Sequence, residues 1–178
     1  MAKLALNFQV HSDRVVPAAA GARGERADGL WTDEPGLPIL ALSADCLPIA
    51  LVRAGGEPPA VAVLHVGWRG LLAGIVQAGA NALGDHALAA AIGPGIGPCC
   101  YEVGEEVAGP FRERFGGDVV HDRRLDLWTS AERALGAAGV EQVDRIDRCT
   151  ACEPEYFFSH RRDAGRTGRQ GVIAHVAR

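Results

Sequence analysis

The chain has 178 residues, a formal charge of −4 and 48% hydrophobic residues. That is the length of one domain with a core of its own, which excludes bulk disorder and a globally basic nucleic-acid binder. No apolar run reaches the roughly 18–20 residues that a membrane span needs. The charge is unevenly placed. Residues 161–178 hold five arginines against Asp163 alone, a local +4, which leaves −8 on the other 160 residues. Every basic residue except Lys3 is arginine. The five cysteines are an odd number, and the N-terminus turns polar too quickly for a signal peptide. Both features point to reduced thiols and a cytoplasmic location.

In chain order, residues 17–29 are small and polar and read as a surface loop. Residues 37–44 and 47–52 read as buried strands around Asp45-Cys46, and residues 60–66 as a third. Leu71, Leu72, Ile75, Val76 and Leu83 then fall at helical spacing, predicting a helix over 70–83. A short strand follows at 88–93. Val103, Val107, Phe111 and Phe115 repeat every four residues and predict a helix over 101–115 that Pro110 should kink or restart. A further helix is expected over 126–138, with Asp126 as its N-cap. Strands are expected at 141–147, near 156–160 and at 171–176. Alternating strands and helices, without repeats or a linker, predict one α/β domain over 1–178 with mixed sheets.

Five segments can carry chemistry. Gly67-Trp68-Arg69-Gly70 joins a strand to a helix, and its backbone N–H groups and arginine suit an anion, although an ordinary tight turn reads the same way. Gly93-Pro94-Gly95-Ile96-Gly97-Pro98 specifies an unusual loop path. His11, Cys46 and His65 are two imidazoles and a thiol suited to zinc, but spacings of 35 and 19 residues make no local motif. Cys149-Thr150-Ala151-Cys152 is a C-x-x-C without a second such pair, and reads best as a partly buried structural pair. The arginine-rich end could bind phosphate, a carboxylate or a nucleoside, or be a solvated face.

Seven ordered motifs together resemble one family. They are Gln9-Val10-His11-Ser12-Asp13, Ala27-Asp28-Gly29-Leu30-Trp31-Thr32, Ser43-Ala44-Asp45-Cys46-Leu47-Pro48, His65-Val66-Gly67-Trp68-Arg69-Gly70, Gly93 to Pro98, Tyr101-Glu102-Val103-Gly104, and Phe158 to Asp163 with Thr167-Gly168-Arg169. The chain is similar over residues 7–176 to the YfiH/YlmD family, named after laccase domains. The resemblance implies an α/β/β/α-type fold and one Zn²⁺ held by His11, Cys46 and His65. It also implies phosphorolysis of purine nucleosides and deamination of adenosine. The expected partners are then purine nucleosides and phosphate, not nucleic acid or a membrane. Asp45, Cys46 and His65 are the candidate catalytic residues. Gly67, Arg69, Gly70, Arg161 and Arg162 are the candidate phosphate and substrate contacts, with Arg169 in the same motif and Arg166 and Arg178 outside its core. The family usually carries a further segment before the Gln9-Val10-His11 motif, supplying part of the pocket, and this chain starts almost at the motif. A cysteine amidase using Cys46 and His65, as in the family's peptidoglycan-editing branch, is the alternative enzyme. A metal-binding remnant without catalysis is another. A multicopper oxidase is disfavoured, because six histidines and the single methionine, Met1, are too few donors.

Overall fold

The computed structural model describes residues 4–21, 23–55 and 57–177. One strand, β7 (Val61–Val66), sets the plan. All six of its residues are buried, so both faces need cover. Ala62, Leu64 and Val66 join a large core shared with the helices, whereas Val61 and Val63 join a smaller core between two sheets. This is the period of two of an extended chain. It turns His65 toward the same side as Val61 and Val63.

The first sheet has six strands in the order β11 (Val140–Arg145), β8 (Leu88–Ile92), β6 (Leu47–Arg53), β7, β4 (Gly29–Thr32) and β2 (Val15–Pro17). Its centre is antiparallel, β8–β6–β7–β4, and its outer pairs are parallel. The second sheet has four strands in the order β12 (Gln170–Ala174), β5 (Ile39–Ser43), β1 (Ala5–Phe8) and β3 (Arg23–Arg26). A small hairpin pairs β9 (Val120–His121) with β10 (Arg124–Leu125). The helices are α1 (Trp68–Ala73), α2 (Ile75–Leu83), α3 (Glu105–Phe115) and α4 (Leu127–Ala137). Every helical residue of the two cores belongs to the larger one, so among the described residues the layers run helices, six-stranded sheet, four-stranded sheet. The α/β class with mixed sheets is as expected. A second helical layer outside the four-stranded sheet is not seen among these residues. Leu51, Leu64, Leu71 and Ile75 are among the fully buried side chains of the larger core, each worth about 1.5–3 kcal/mol relative to exposure.

Five local expectations are revised. The helix expected over 70–83 is two helices, because Gly74 takes the left-handed conformation (φ 105°), closing α1 and opening α2. Pro110 does not restart α3: the residue is exposed, so water can serve the carbonyl its missing N–H would have bonded, while buried Val107, Ala108, Phe111 and Phe115 hold the helix down. The helix starts at Glu105 rather than 101, because residues 101–104 are taken by the approach to β10, where Val103 N–H donates to Arg123 O. Residues 17–29 contain β3, which extends the second sheet beside β1. No strand forms at 156–160, where the backbone bonds locally (Phe157 N–H to Glu153 O) and Tyr156 and Phe158 are exposed. Asp126 caps α4 as expected, its Oδ1 accepting from Thr129 N–H at 2.9 Å.

Candidate functional site

Four chain segments meet at one end of the central strands. Register brings them there. Pro48 lies opposite His65, and Gly29 opposite Leu64. The residues just before β6 and β4, Cys46 and Asp28, therefore flank His65, whose N–H donates to Asp28 O at 2.7 Å. His11 arrives from the loop after β1, which Gln9 fixes by a two-way bond to the Leu42 backbone (2.6 and 2.9 Å).

Asp28 organises this meeting point. It is buried, and its Oδ1 accepts from His11 N–H (2.9 Å) and His65 Nδ1–H (2.8 Å). Its Oδ2 accepts from Ser12 N–H (2.7 Å) and the Ser12 hydroxyl (2.8 Å), and Val10 N–H lies 3.1 Å from both oxygens. Three successive N–H groups thus close on one carboxylate, the geometry of an anion-binding nest. They hold His11 in the left-handed region (φ 62°), uncommon for a residue other than glycine. Burial would raise the Asp28 carboxyl, but the bonds from His65, Ser12 and His11 outweigh it and hold the group well below the usual carboxylate range. An ionised carboxylate only accepts, so His65 Nδ1 carries a proton and Nε2 is the nitrogen left to give up its own to a metal.

The donor atoms of His11, Cys46 and His65 all lie within 4.8 Å of one another, with Cys46 Sγ 3.9 Å from His11 Nε2. The two imidazole rings meet edge to face at 4.8 Å between centroids. Burial raises the Cys46 thiol, yet hydrogen bonds from His11 and His65 bring it down to about 7. Burial lowers His65, and its bonds to Asp28 and Cys46 lift it to about 9. Two imidazoles and a readily ionised thiol, one imidazole oriented by a carboxylate, form a group able to bind a metal ion. Gly67 is required beside it. A Cβ there would lie 2.9 Å from Cys46 Sγ and 3.0 Å from His11 Cδ2. At Gly70 a Cβ would lie 2.9 Å from Ser12 O. The two glycines expected to approach an anion therefore pack against the loops that carry His11 and Cys46.

A cavity of about 550 Å³ opens over these groups. Its wall includes His11, Asp45, Cys46 and His65, the aromatic rings of Phe8 and Tyr101, and the cations Arg69, Arg161 and Arg169. Arg69 is exposed, with its guanidinium 4.5 Å from the Trp68 ring centroid. Arg161 reaches across the Tyr101 ring (5.4 Å) and donates to Glu102 O at 3.0 Å. Burial pushes the Tyr101 phenol up, so it stays protonated. Asp45 is buried with both oxygens engaged, accepting from the Thr150 hydroxyl and Arg161 N–H, each at 2.6 Å. Arg162 lies apart from this cavity. Its guanidinium is held by Asp163 (2.8 and 2.9 Å), Thr150 O (2.8 Å) and Phe157 O (3.0 Å), because its neighbour in sequence presents a carboxylate at the right distance for a two-point bond. Arg166 is exposed away from the cavity, and Arg178 lies outside the described residues.

The family model described as "Multi-copper polyphenol oxidoreductase laccase" matches residues 1–177. The chain belongs to this laccase-named family. It is similar to the purine nucleoside phosphorylase YfiH of Escherichia coli (39% identity over 171 residues, 90% of this chain and 69% of that protein). It is also similar to the purine nucleoside phosphorylase YlmD of Geobacillus stearothermophilus (34% identity over 200 residues, 96% and 70%). Among solved structures, that YlmD superposes with a TM-score of 0.88 at 32% identity, covering 99% of this chain and 74% of the other. The YfiH of Bacillus licheniformis superposes at 0.89 and 28%, covering 97% and 74%. No helix among the described residues is long and apolar enough to cross a membrane.

Two features of this family member escaped the sequence. Asp28 stood in a motif but had no assigned task, because its partners lie 16–37 residues away. Cys149 and Cys152 are no isolated pair: Cys99 and Cys100, from the end of the glycine-rich loop, join them in a four-sulfur group.

Proposed function

We propose that this chain is a zinc-dependent purine nucleoside phosphorylase that also deaminates adenosine. One observation carries the reading: the 550 Å³ cavity joins a His–Cys–His metal-binding group to aromatic faces and a cationic rim. That volume suits a nucleoside with a phosphate beside it. The names of the YfiH and YlmD relatives support the substrate class.

In this reading His11, Cys46 and His65 hold the zinc ion, with Asp28 orienting His65. Zinc at such a site supplies Lewis-acid chemistry and lowers the pKa of water. Arg69 and Arg161, aided by Arg169, place phosphate against the anomeric carbon of the sugar. One phosphate oxygen bonds to that carbon as the bond to the purine nitrogen breaks, and the purine leaves with the electron pair. Negative charge moves from phosphate to purine during this exchange, so fixed cations that need no reorganisation lower the barrier. Phe8 and Tyr101 offer flat faces for the base, and the protonated phenol of Tyr101 is a hydrogen-bond donor. Asp45 acts as a positioning residue, tying Arg161 and Thr150 to the Cys46 loop. Arg162 braces the Thr150 segment, donating to Thr150 O at 2.8 Å.

Inosine with phosphate is expected to yield hypoxanthine and ribose 1-phosphate, in amounts that depend on phosphate. Absence of turnover with every purine nucleoside, in zinc-loaded protein, would refute the reading. A second reading rests on the Cys46–His65–Asp28 sequence of contacts, which is also that of a cysteine nucleophile, its base and an orienting carboxylate. Rapid alkylation of Cys46 in zinc-replete protein, with an amide substrate cleaved, would favour it.

A further inference from the structure

We propose that Cys99, Cys100, Cys149 and Cys152 bind a second zinc ion in an all-thiolate, structural site. The four sulfurs lie within 4.8 Å of one another, with Cys99–Cys152 at 3.5 Å and Cys100–Cys152 at 3.3 Å. In a tetrahedral zinc site with Zn–S bonds of about 2.3 Å, the sulfurs stand about 3.8 Å apart. The observed group is that size. A polynuclear iron–sulfur cluster is too large for it, since such a cluster binds its cysteines through different irons.

The backbone around Cys149 is arranged for a thiolate. Its Sγ accepts an N–H bond from Gly97 at 3.3 Å. The turn from Cys149 to Cys152, closed by Cys152 N–H donating to Cys149 O at 3.1 Å, presents the sulfurs of two cysteines three apart to one point. Cys149 is buried, while Cys99 and Cys152 are exposed. One side of the group therefore opens to solvent, giving the ion a route in. Four thiolates around Zn²⁺ leave a net charge of −2, and the guanidinium of Arg124 reaches this loop, donating to Cys99 O at 3.0 Å.

The ion's place in the fold gives it a task. The two cysteine pairs are about fifty residues apart in sequence, and each belongs to a segment that builds the nucleoside cavity. Cys100 precedes Tyr101, which lines the cavity. Between Cys149 and Cys152 sits Thr150, whose hydroxyl holds Asp45 and whose N–H donates to Gly95 O at 3.0 Å. A metal crosslink here fixes the wall of the cavity without touching substrate. The four ligands leave no open position, so the site has no part in the chemistry.

The inference is independent of the proposed reaction, and a variant at the other metal group tests it on its own. Full-length Cys46→Ala protein, purified anaerobically, is expected to keep one zinc per chain, against two in the parent. Replacing that zinc with cobalt(II) should give the strong thiolate-to-metal charge-transfer absorption and intense visible bands of a tetrahedral four-sulfur site. Cys99→Ser/Cys152→Ser protein should lose one zinc of two while retaining phosphorolysis at low temperature. Three results would overturn the proposal: zinc-free Cys46→Ala protein with four titratable thiols; an anaerobic intact mass lower by the hydrogens of a disulfide; or iron in place of zinc. If the double variant fails to fold, the cobalt spectrum of the Cys46→Ala protein decides alone.

Discussion

Replacing Asp28 by asparagine tests the organisation of the site most directly. The substitution keeps the shape of the side chain but turns one acceptor oxygen into a donor. If the amide nitrogen takes the Oδ1 position, it faces His11 N–H and His65 Nδ1, which stand at 2.9 and 2.8 Å. His11 N–H is then orphaned, and His65 relieves the clash only by moving its proton to Nε2, the atom a metal needs. If the nitrogen takes the Oδ2 position, Ser12 N–H at 2.7 Å loses its acceptor, although the Ser12 hydroxyl can turn to accept. Hydrogen bonds to a charged group are worth about 1.5–3 kcal/mol each; in either orientation one is lost and a second is reversed and weakened. Allowing for relaxation, we expect destabilisation of about 2–4 kcal/mol, or roughly 4–16 °C in Tm for a chain of this size. Metal affinity should fall about 10–100-fold, as it does when a ligand imidazole loses its carboxylate partner. Asp28 is held below its unfolded pKa, so the stability it contributes is complete above about pH 4 and is lost as pH falls toward its lower folded value. Asp28→Asn protein should therefore lose less stability between about pH 4 and pH 2 than the parent. Calorimetry across this pH range, with zinc competition against a chelator at pH 7.5, measures all three effects. Parental affinity together with a parental acid limb would refute the role given to Asp28.

Gly67→Ala should abolish metal binding and turnover while leaving the fold cooperative, since its Cβ would press on Cys46 Sγ at 2.9 Å and His11 Cδ2 at 3.0 Å; metal content and circular dichroism report the two separately. Arg69→Ala and Arg161→Ala should each raise the KM for phosphate about 10–100-fold, the loss of one charge-assisted contact, with little change in the KM for inosine. Arg162→Ala should instead lower Tm and leave the phosphate KM near the parent's, because its guanidinium is bonded to Asp163, Thr150 O and Phe157 O; steady-state kinetics beside thermal melts separate these outcomes. In metal-stripped protein the alkylation rate of Cys46 should rise with pH through about 7, as the thiolate forms, and zinc should suppress it; a midpoint near that of a free thiol would contradict the contacts drawn to His11 and His65.

Much of the fold could be read from hydrophobic pattern, because the buried strands at 39–43, 47–53 and 61–66 are short apolar runs bounded by polar turns. Where local pattern misled, a tertiary contact or a single glycine decided. Tyr156 and Phe158 look like strand residues, but the backbone there turns on itself, with Phe157 N–H donating to Glu153 O, and Gly74 breaks an apolar stripe that continues through it. By residue type alone the group able to bind a metal is one candidate among several, and the resemblance singles it out. His11, Cys46 and His65 have no shared spacing, and what gathers them is strand register, which a single sequence does not display. Charge was the weakest guide. The arginine-rich end contains residues with different fates: Arg161 and Arg169 line the cavity, Arg169 while bonding the carbonyls of Thr167 and Gly168, and Arg162 is held away from it by its own neighbours.

The hairpin of β6 and β7 carries the site at one end and closes at the other, where Arg53 N–H donates to Ala60 O and a turn joins the two strands. Six residues of β7 separate the two ends, about 20 Å at 3.3 Å per residue. Pairing along the whole hairpin fixes Pro48 opposite His65 whatever the length of that turn. The turn is therefore a natural point of insertion. A fluorescent label, an affinity tag or a whole folded module could be spliced there, out of reach of the cavity, and evolution has the same freedom to lengthen the chain at that end without retuning the other.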